Sequence, residues 1–278
     1  MGSFIFTIKK AMKISALAIT LNEAENVKRY IESLSFVDEI LFIDSYSTDE
    51  TKAIAEQYGA RVIQRRFDNF SNQRNFAISQ AKNDWIVFFD LDEIITKEVE
   101  KEIIEQVHTS NDYVAYYAHR NVFLFNKRIK YGGLQNDKAI RLFNKNYCTY
   151  NGHLVHEEIK VSGKIGHLKN RVDHHSFKSF DHYFCKLNQY SELKANECFN
   201  KNKKATVFHF IVRPSYRFVW QYFYRLGFLD GAEGFLSAKI NAFFVFKRYV
   251  TLWNLNKKTK ATEVHTIPQN KHWIEARL

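Results

Sequence analysis

Across residues 13–90 the chain alternates short β-rich runs with helical patterns at a steady rhythm: KISALAIT, EAENVKRYIESL, EILFIDS, DETKAIAEQYG, ARVIQR, NQRNFAISQAK and DWIVFFD. Strands and helices in that succession predict βαβ units, which close as a mainly parallel sheet covered by helices. The ligand crevice of such a sheet lies beyond the carboxyl ends of its strands, and Asn22, Asp44 and Asp90 all fall at those ends. Further strands are expected around DYVAYYAHR, NVFLFNKRIKY and KAIRLFN, completing a mixed sheet, before the pattern turns helical from about Phe177. The expected fold class is therefore α/β. Its expected parts are an N-terminal extension (1–11), a main α/β domain (12–175) and a helical, basic and aromatic region (176–278).

The segment DWIVFFDLDE carries the chemistry most directly, because an apolar run ends abruptly in three carboxylates. Alternate side chains of a strand point the same way, so Asp90 and Asp92 can converge on one hard cation while Leu91 turns to the core. Oxygen ligands suit Mg2+ or Mn2+, and an ion held by one or two carboxylates keeps positions that a diphosphate can fill. The competing role for these acids is to cap a helix beginning near Thr96. Two other strand ends carry the same ambiguity. Thr20 to Glu23 and Ser47 to Glu50 both satisfy a helix capping box, while Asp44 either accepts hydrogen bonds from a ribose or base or serves as a turn residue. No glycine-rich phosphate loop follows the first strand, which disfavours dehydrogenases and P-loop kinases.

Charge is unevenly spread. The net charge is +11, and residues 201–260 hold twelve Lys and Arg against two acids, together with fifteen aromatic residues. Basic residues interleaved with aromatics fit either an anionic membrane interface or a nucleic-acid surface. Cys148, Cys185 and Cys198 have neither disulfide-framework nor zinc spacing, which fits a reducing cytoplasm. No apolar run approaches the length of a membrane span.

The order ITLNEAEN, FIDSYSTDET, NQRN, FFDLDE resembles the glycosyltransferases of family 2, whose nucleotide-sugar-binding fold is called GT-A, a Rossmann-like mixed sheet. Within that family the pieces YGG, KAIRLFN, NGHLVHEEI, DHHSF and GFLDGAEGF are similar to the lipopolysaccharide-core glucosyltransferase group, which has DADE where this chain has DLDE. The resemblance implies that Thr20, Asn22, Glu23 and Asp44 line a nucleoside pocket. It further implies that Gln73, Arg74 and Asn75 approach the sugar donor, and that Asp90 and Asp92 complete the nucleotide and metal site. A guanidinium offers paired donors to a phosphate, which gives Arg74 and Arg141 an independent rationale; a surface salt bridge is the plainer role for Arg74. Glycosyl transfer needs a base for the acceptor hydroxyl. The family's VHE pattern points to Glu157, with Glu158 behind it, unless both are ordinary solvated charges on a strand edge. His174 and His175 could approach metal or acceptor, although adjacent loop histidines are more often structural.

The resulting expectation is an inverting, metal-dependent hexosyltransferase. It would use a nucleotide sugar such as UDP-glucose and a lipid-linked glycan acceptor of the lipopolysaccharide-core type, and sit peripherally on the cytoplasmic face of the inner membrane. A polyprenyl-phosphate sugar synthase and a non-catalytic protein binding membrane or nucleic acid are the alternatives. Nothing about nucleic-acid binding calls for DLDE after an apolar strand, so nucleic acid is not expected as a partner.

Overall fold

The computed structural model describes residues 12–109, 112–124, 127–151, 158–177 and 180–261. The expected N-terminal extension lies outside them. The chain divides into two compact units, Met1–His119 with Lys138–Val172, and Arg120–Asp137 with Asp173–Leu278.

The first unit begins with β1 (Ile14–Thr20), α1 (Ala24–Glu32), β2 (Glu39–Asp44), α2 (Thr51–Gln57), β3 (Arg61–Gln64), α3 (Phe70–Gln80) and β4 (Trp85–Val87). It continues through β5 (Glu93–Ile94), α4 (Lys97–His108) and β6 (Tyr113–Leu124), whose last residues run on into the second unit, where β7 (Lys127–Ile129) pairs with them. Back in the first unit follow β8 (Lys138–Asn144), the hairpin of β9 (Cys148–Tyr150) and β10 (Ile159–Val161), and β11 (Lys164–Phe177), which also crosses the boundary.

Sheet order is β3-β2-β1-β4-β8-β6-β11-β5. The pairs β3–β2, β2–β1 and β1–β4 are parallel, and β8 runs antiparallel to β4 and β6. This is the α/β, mainly parallel, mixed sheet that the alternating runs imply, and it is GT-A-like, as the family resemblance implies. Every residue of β1 is buried, as a strand covered by helices on both faces requires. Helix α1 turns Val27, Tyr30 and Ile31 inward, and α4 does the same with Val99, Ile103 and Val107 at four-residue spacing. The large rings of Phe42, Phe88, Phe89 and Phe143 are fully enclosed, each contributing on the order of 2 to 3 kcal/mol through burial.

Two polar devices fix the sheet away from its carboxyl edge. Glu39 accepts from Ser15 Oγ at 2.6 Å, from the Lys82 amide at 2.8 Å and from Arg61 at 2.8 Å. Buried Glu102 of α4 accepts the amides of Lys169 and Asn170 on β11 at 2.6 and 2.9 Å.

The second unit is helical, as expected from about Phe177: α5 (Phe180–Asn200), α6 (Val207–Val219) and α7 (Gly231–Ala261). Helix α6 runs into a π turn at Trp220–Tyr224 and a 3-10 turn at Gly227–Asp230. The carboxylate of buried Asp230 accepts the amides of Lys130 and Tyr131 at 3.0 and 2.8 Å. Gly234 is obligatory, since a Cβ there would lie 1.9 Å from the Gly227 carbonyl oxygen. The segments YGG and GFLDGAEGF thus build one joint. No helix among the described residues is long and apolar enough to cross a membrane.

Candidate functional site

The parallel register aligns Thr20 with Asp44 and Asp44 with Gln64 at the carboxyl ends of β1, β2 and β3. Asp44 is fully buried. It accepts from Thr20 Oγ1 at 3.3 Å, Gln64 Nε2 at 3.1 Å and the Ser47 amide at 3.0 Å, and also from the Ser47 hydroxyl. Its carboxylate therefore clamps the loop after β2 to the strand ends.

Neither capping box forms, because α1 and α2 begin a turn later than those boxes require, at Ala24 and Thr51, and Glu23 and Glu50 occupy the N-cap positions without side-chain caps. The orphan amides at the start of α1 are met instead from the neighbouring loop. The Asn22 amide donates to Ser47 Oγ at 2.9 Å, Glu23 to Thr51 Oγ1 at 2.7 Å and Ala24 to Asp49 Oδ2 at 3.1 Å. Asn22 Oδ1 accepts the Thr48 amide at 2.8 Å while its backbone holds a left-handed φ of 55°, a conformation that asparagine tolerates well. Two loops become one rigid rim.

Beyond β4 the carboxylates are organised by a turn. The strand ladder ends at Val87, and the Glu93 amide donates to the Asp90 carbonyl at 2.9 Å, so Asp90-Leu91-Asp92-Glu93 folds back on itself. Strand alternation therefore does not set the directions of these side chains, although Leu91, 5% exposed, does enter the core. None of the acids caps α4. Thr96 does, accepting the Val99 amide.

Glu93 is completely buried. It accepts the Asp90 amide at 3.1 Å and Arg141 Nη2 at 2.8 Å. Asp90 carries Arg74 on one oxygen at 3.0 Å and Arg141 on the other. Both arginines are less than 10% exposed, whereas the Asp90 side chain is 35% exposed. Arg74 also lies over the rings of Phe88 and Tyr150, at 4.9 and 5.5 Å from their centroids. Burial alone would lower the pKa of Arg141, but the Asp90 and Glu93 carboxylates outweigh it and hold that pKa well above the ordinary value. Tyr30, whose hydroxyl donates to the Phe89 carbonyl at 3.0 Å, is raised in turn by burial and then by the same two carboxylates.

The remaining expected residues divide. Gln73 is buried, donating to Ser45 Oγ at 3.2 Å and accepting from Arg65. Asn75 pairs with the backbone of β9, donating to the Tyr150 carbonyl at 3.1 Å and accepting its amide at 2.9 Å. Glu157 lies outside the described residues. Glu158 is exposed before β10, its carbonyl accepting the Asn151 amide at 3.0 Å. His174 and His175 belong to the second unit, where His174 stands 3.9 Å from Asp137 and His175 stacks on Phe123. Motif reading left Glu93 and Tyr150 without roles. The sequence signal for Glu93 was Arg141 itself, a cation inside the apolar strand KAIRLFN that demands a buried anion.

A metal would meet only oxygen ligands here. Asp90 already shares both oxygens with guanidinium groups, and Asp92 is the half-buried carboxylate two residues on. The buried Nε of Arg141 has no hydrogen-bond partner among the described residues. It is a donor suited to an incoming anion.

Comparison with known proteins identifies the family. Residues 15–161 match the family described as glycosyl transferase family 2. An "Uncharacterized glycosyltransferase" of Rickettsia felis is 34% identical over 89% of this chain and 92% of that protein. The "Lipopolysaccharide core biosynthesis glycosyltransferase LpsC" of Rhizobium meliloti is 27% identical over 84% of this chain and 90% of that protein. Glucosyl-3-phosphoglycerate synthase of Mycobacterium tuberculosis, crystallised with Mn2+ and UDP, is 24% identical over 39% of this chain and 43% of that chain, with a TM-score of 0.35. That likeness is too slight to carry any conclusion.

Proposed function

The chain belongs to glycosyltransferase family 2, and from that premise we propose that it moves a hexose, with inversion, from a UDP-type nucleotide sugar to a lipid-linked glycan of the lipopolysaccharide-core type. The observation that carries this reading is the buried Arg74-Asp90-Arg141-Glu93 cluster beyond β4, on the same carboxyl edge as the Thr20–Asp44 rim. Two guanidinium groups balanced by two carboxylates form a fixed electrostatic frame, and fixed dipoles and charges stabilise developing charge without reorganising. Arg74 and Arg141 orient a diphosphate, and the rim of Thr20, Asn22, Glu23 and Asp44 receives the nucleoside, with Gln73 and Asn75 bracing the wall behind it.

Asp92 is the residue to hold Mg2+ or Mn2+, with Asp90 positioning it through the turn. Such an ion supplies Lewis-acid stabilisation of the departing diphosphate. Glu157 takes the proton of the acceptor hydroxyl, with Glu158 as the substitute. Relatedness to the Rhizobium core glycosyltransferase supports the acceptor class.

The second unit suits a peripheral membrane position. Val207, Phe208, Ile211, Tyr216, Val219 and Tyr224 are all exposed along α6 and its π turn, within a strongly basic stretch.

Nucleoside-diphosphate release from UDP-, GDP- and dTDP-sugars, with Mn2+ or Mg2+, tests the reading. One donor should turn over only with metal, and Asp92→Ala should abolish that turnover. Turnover of no donor by either protein would overturn it. Offering core glycan against polyprenyl phosphate as acceptor then separates the two enzymatic classes.

A further inference from the structure

Helices α5, α6 and α7 line an open cavity of about 340 Å3 whose wall includes Arg213, Arg217 and Arg248 together with Tyr190, Tyr216 and Tyr249. Every one of these residues lies in the second unit. Three guanidinium groups on one cavity is an unusual concentration of a single sign. None of the three makes an ion pair or side-chain hydrogen bond among the described residues, and the Nε of Arg248 is buried without a partner.

Four acids of the second unit are engaged elsewhere. Glu192 of α5 is held by Lys247 at 3.0 Å, and Glu197 by Lys194 and Lys201 at 2.8 Å each. Asp230 is spent on the amides of Lys130 and Tyr131, and Glu233 on Lys127.

The neighbouring helices partly desolvate the Arg217 guanidinium, although the residue as a whole stays exposed. That desolvation lowers its pKa, the Tyr183 hydroxyl opposes the shift, and the Arg248 charge adds to it. Arg217 and Arg248 therefore repel each other, and an anion between them relieves the repulsion. Arginine in a fixed fork favours the oxygens of phosphate, which it can grip with two donors at once. Tyr190, Tyr216 and Tyr249 put phenol rings on the same wall.

We propose that this cavity is a phosphate-binding site, taking the phosphomonoester of an acceptor-like lipid or a soluble phosphorylated molecule through Arg213, Arg217 and Arg248. Its coupling to acceptor capture rests on the glycosyltransferase reading above; the site itself does not. A lipid-borne phosphate is favoured by the exposed apolar residues of the same helix, with Val207 at 71% and Ile211 at 62% exposure.

The test uses the full chain in two arms. In the first, calorimetric titration follows inorganic phosphate and a soluble phosphomonoester such as glucose 6-phosphate. In the second, co-sedimentation follows phosphatidylcholine vesicles carrying either phosphatidic acid or phosphatidylglycerol at equal surface charge. Arg217→Gln/Arg248→Gln should weaken phosphate binding by at least about tenfold, since it removes charge-assisted hydrogen bonds to the phosphate oxygens. The matched control Lys203→Gln/Lys204→Gln should weaken adsorption to both vesicle types alike.

Preference for phosphatidic acid, lost in the arginine variant, makes the ligand lipid-borne. Arginine-dependent binding in the first arm alone makes it soluble. Equal losses in the arginine and lysine variants, or no phosphate binding in either arm, would overturn the site. Arg213→Gln, an exposed position, repeats the comparison should the double variant fold poorly. Nucleoside-diphosphate release stays unchanged in all these variants, so failure of the cavity and failure of the glycosyltransferase reading are told apart.

Discussion

Two groups of arginines, one in each unit, face opposite circumstances. In the first, Arg74 and Arg141 are almost wholly buried and each sits on a carboxylate; in the second, Arg213, Arg217 and Arg248 share a cavity that contributes no acid. Some aromatic rings show a similar contrast. Phe42, Phe88 and Phe89 are enclosed, whereas Phe208, Phe223 and Tyr224 are more than half exposed. Charge balanced from within holds a rigid frame ready for chemistry. Charge left without an acid among the described lining residues, beside exposed apolar rings, suits the phosphate ligand proposed above.

This contrast can be broken by substitution. Arg141→Met leaves Glu93 buried without its cation and should destabilise the protein by about 3 to 5 kcal/mol, the usual result of breaking a buried pair; urea unfolding measures it. The double variant Arg141→Met/Glu93→Leu should recover part of that loss, because the orphaned charge is gone. No recovery would mean that the cluster is held by something other than pairing.

Tyr30→Phe should cost about 1 to 3 kcal/mol, since the Phe89 carbonyl just before Asp90 loses its buried donor. Ile211→Asn in the second unit should alter stability by less than about 0.5 kcal/mol, as exposed substitutions do, while reducing vesicle adsorption. A large loss of stability there would show that the exposed face of α6 is packed in the working protein.

Arg248→Gln should raise the melting temperature slightly at low salt, with the gain fading as salt screens the repulsion it removes. That is the opposite sign from Arg141→Met. The smallest expected effect is pH-dependent. Ser15, the Lys82 amide and Arg61 outweigh burial and lower the Glu39 pKa below its ordinary 4.5. The stability this supplies is present above that ordinary value and lost as pH falls through the depressed one. The stability gap between the native chain and Glu39→Gln should therefore close on acidification below about pH 4.5, the ordinary glutamate range.

The parallel half of the fold was legible because its buried strands write themselves as largely apolar runs, and among the antiparallel strands KAIRLFN coincides with β8 residue for residue. Elsewhere polar residues obscured strands. DYVAYYAHR and NVFLFNKRIKY read as two strands, yet β6 runs unbroken through Arg120 and Asn121 because Asp137 and Asp173 satisfy them at 2.7 and 2.8 Å. The fourteen-residue β11 escaped notice, since KIGHLKNRVDHHSF shows no clean apolar face.

At the site, residue types and order were legible but their partners were not. Asn75, expected to approach the donor, holds the backbone of β9, a role its motif did not announce, while Glu93, unassigned, is the anion that sets Arg141. Partners separated by 48 residues, as Arg141 and Glu93 are, leave no mark in local spacing.

The central claim is that nucleotide binds at the balanced cluster of the first unit. Calorimetric titration of UDP with and without Mn2+ tests it directly in three proteins: the native chain, Asp92→Asn and Arg217→Gln/Arg248→Gln. The expected result is an Mn2+-dependent gain in affinity that is kept by the arginine variant and lost by Asp92→Asn. If Asp92→Asn keeps the gain while the arginine variant loses it, the nucleotide belongs to the second unit and the assignment of roles is wrong.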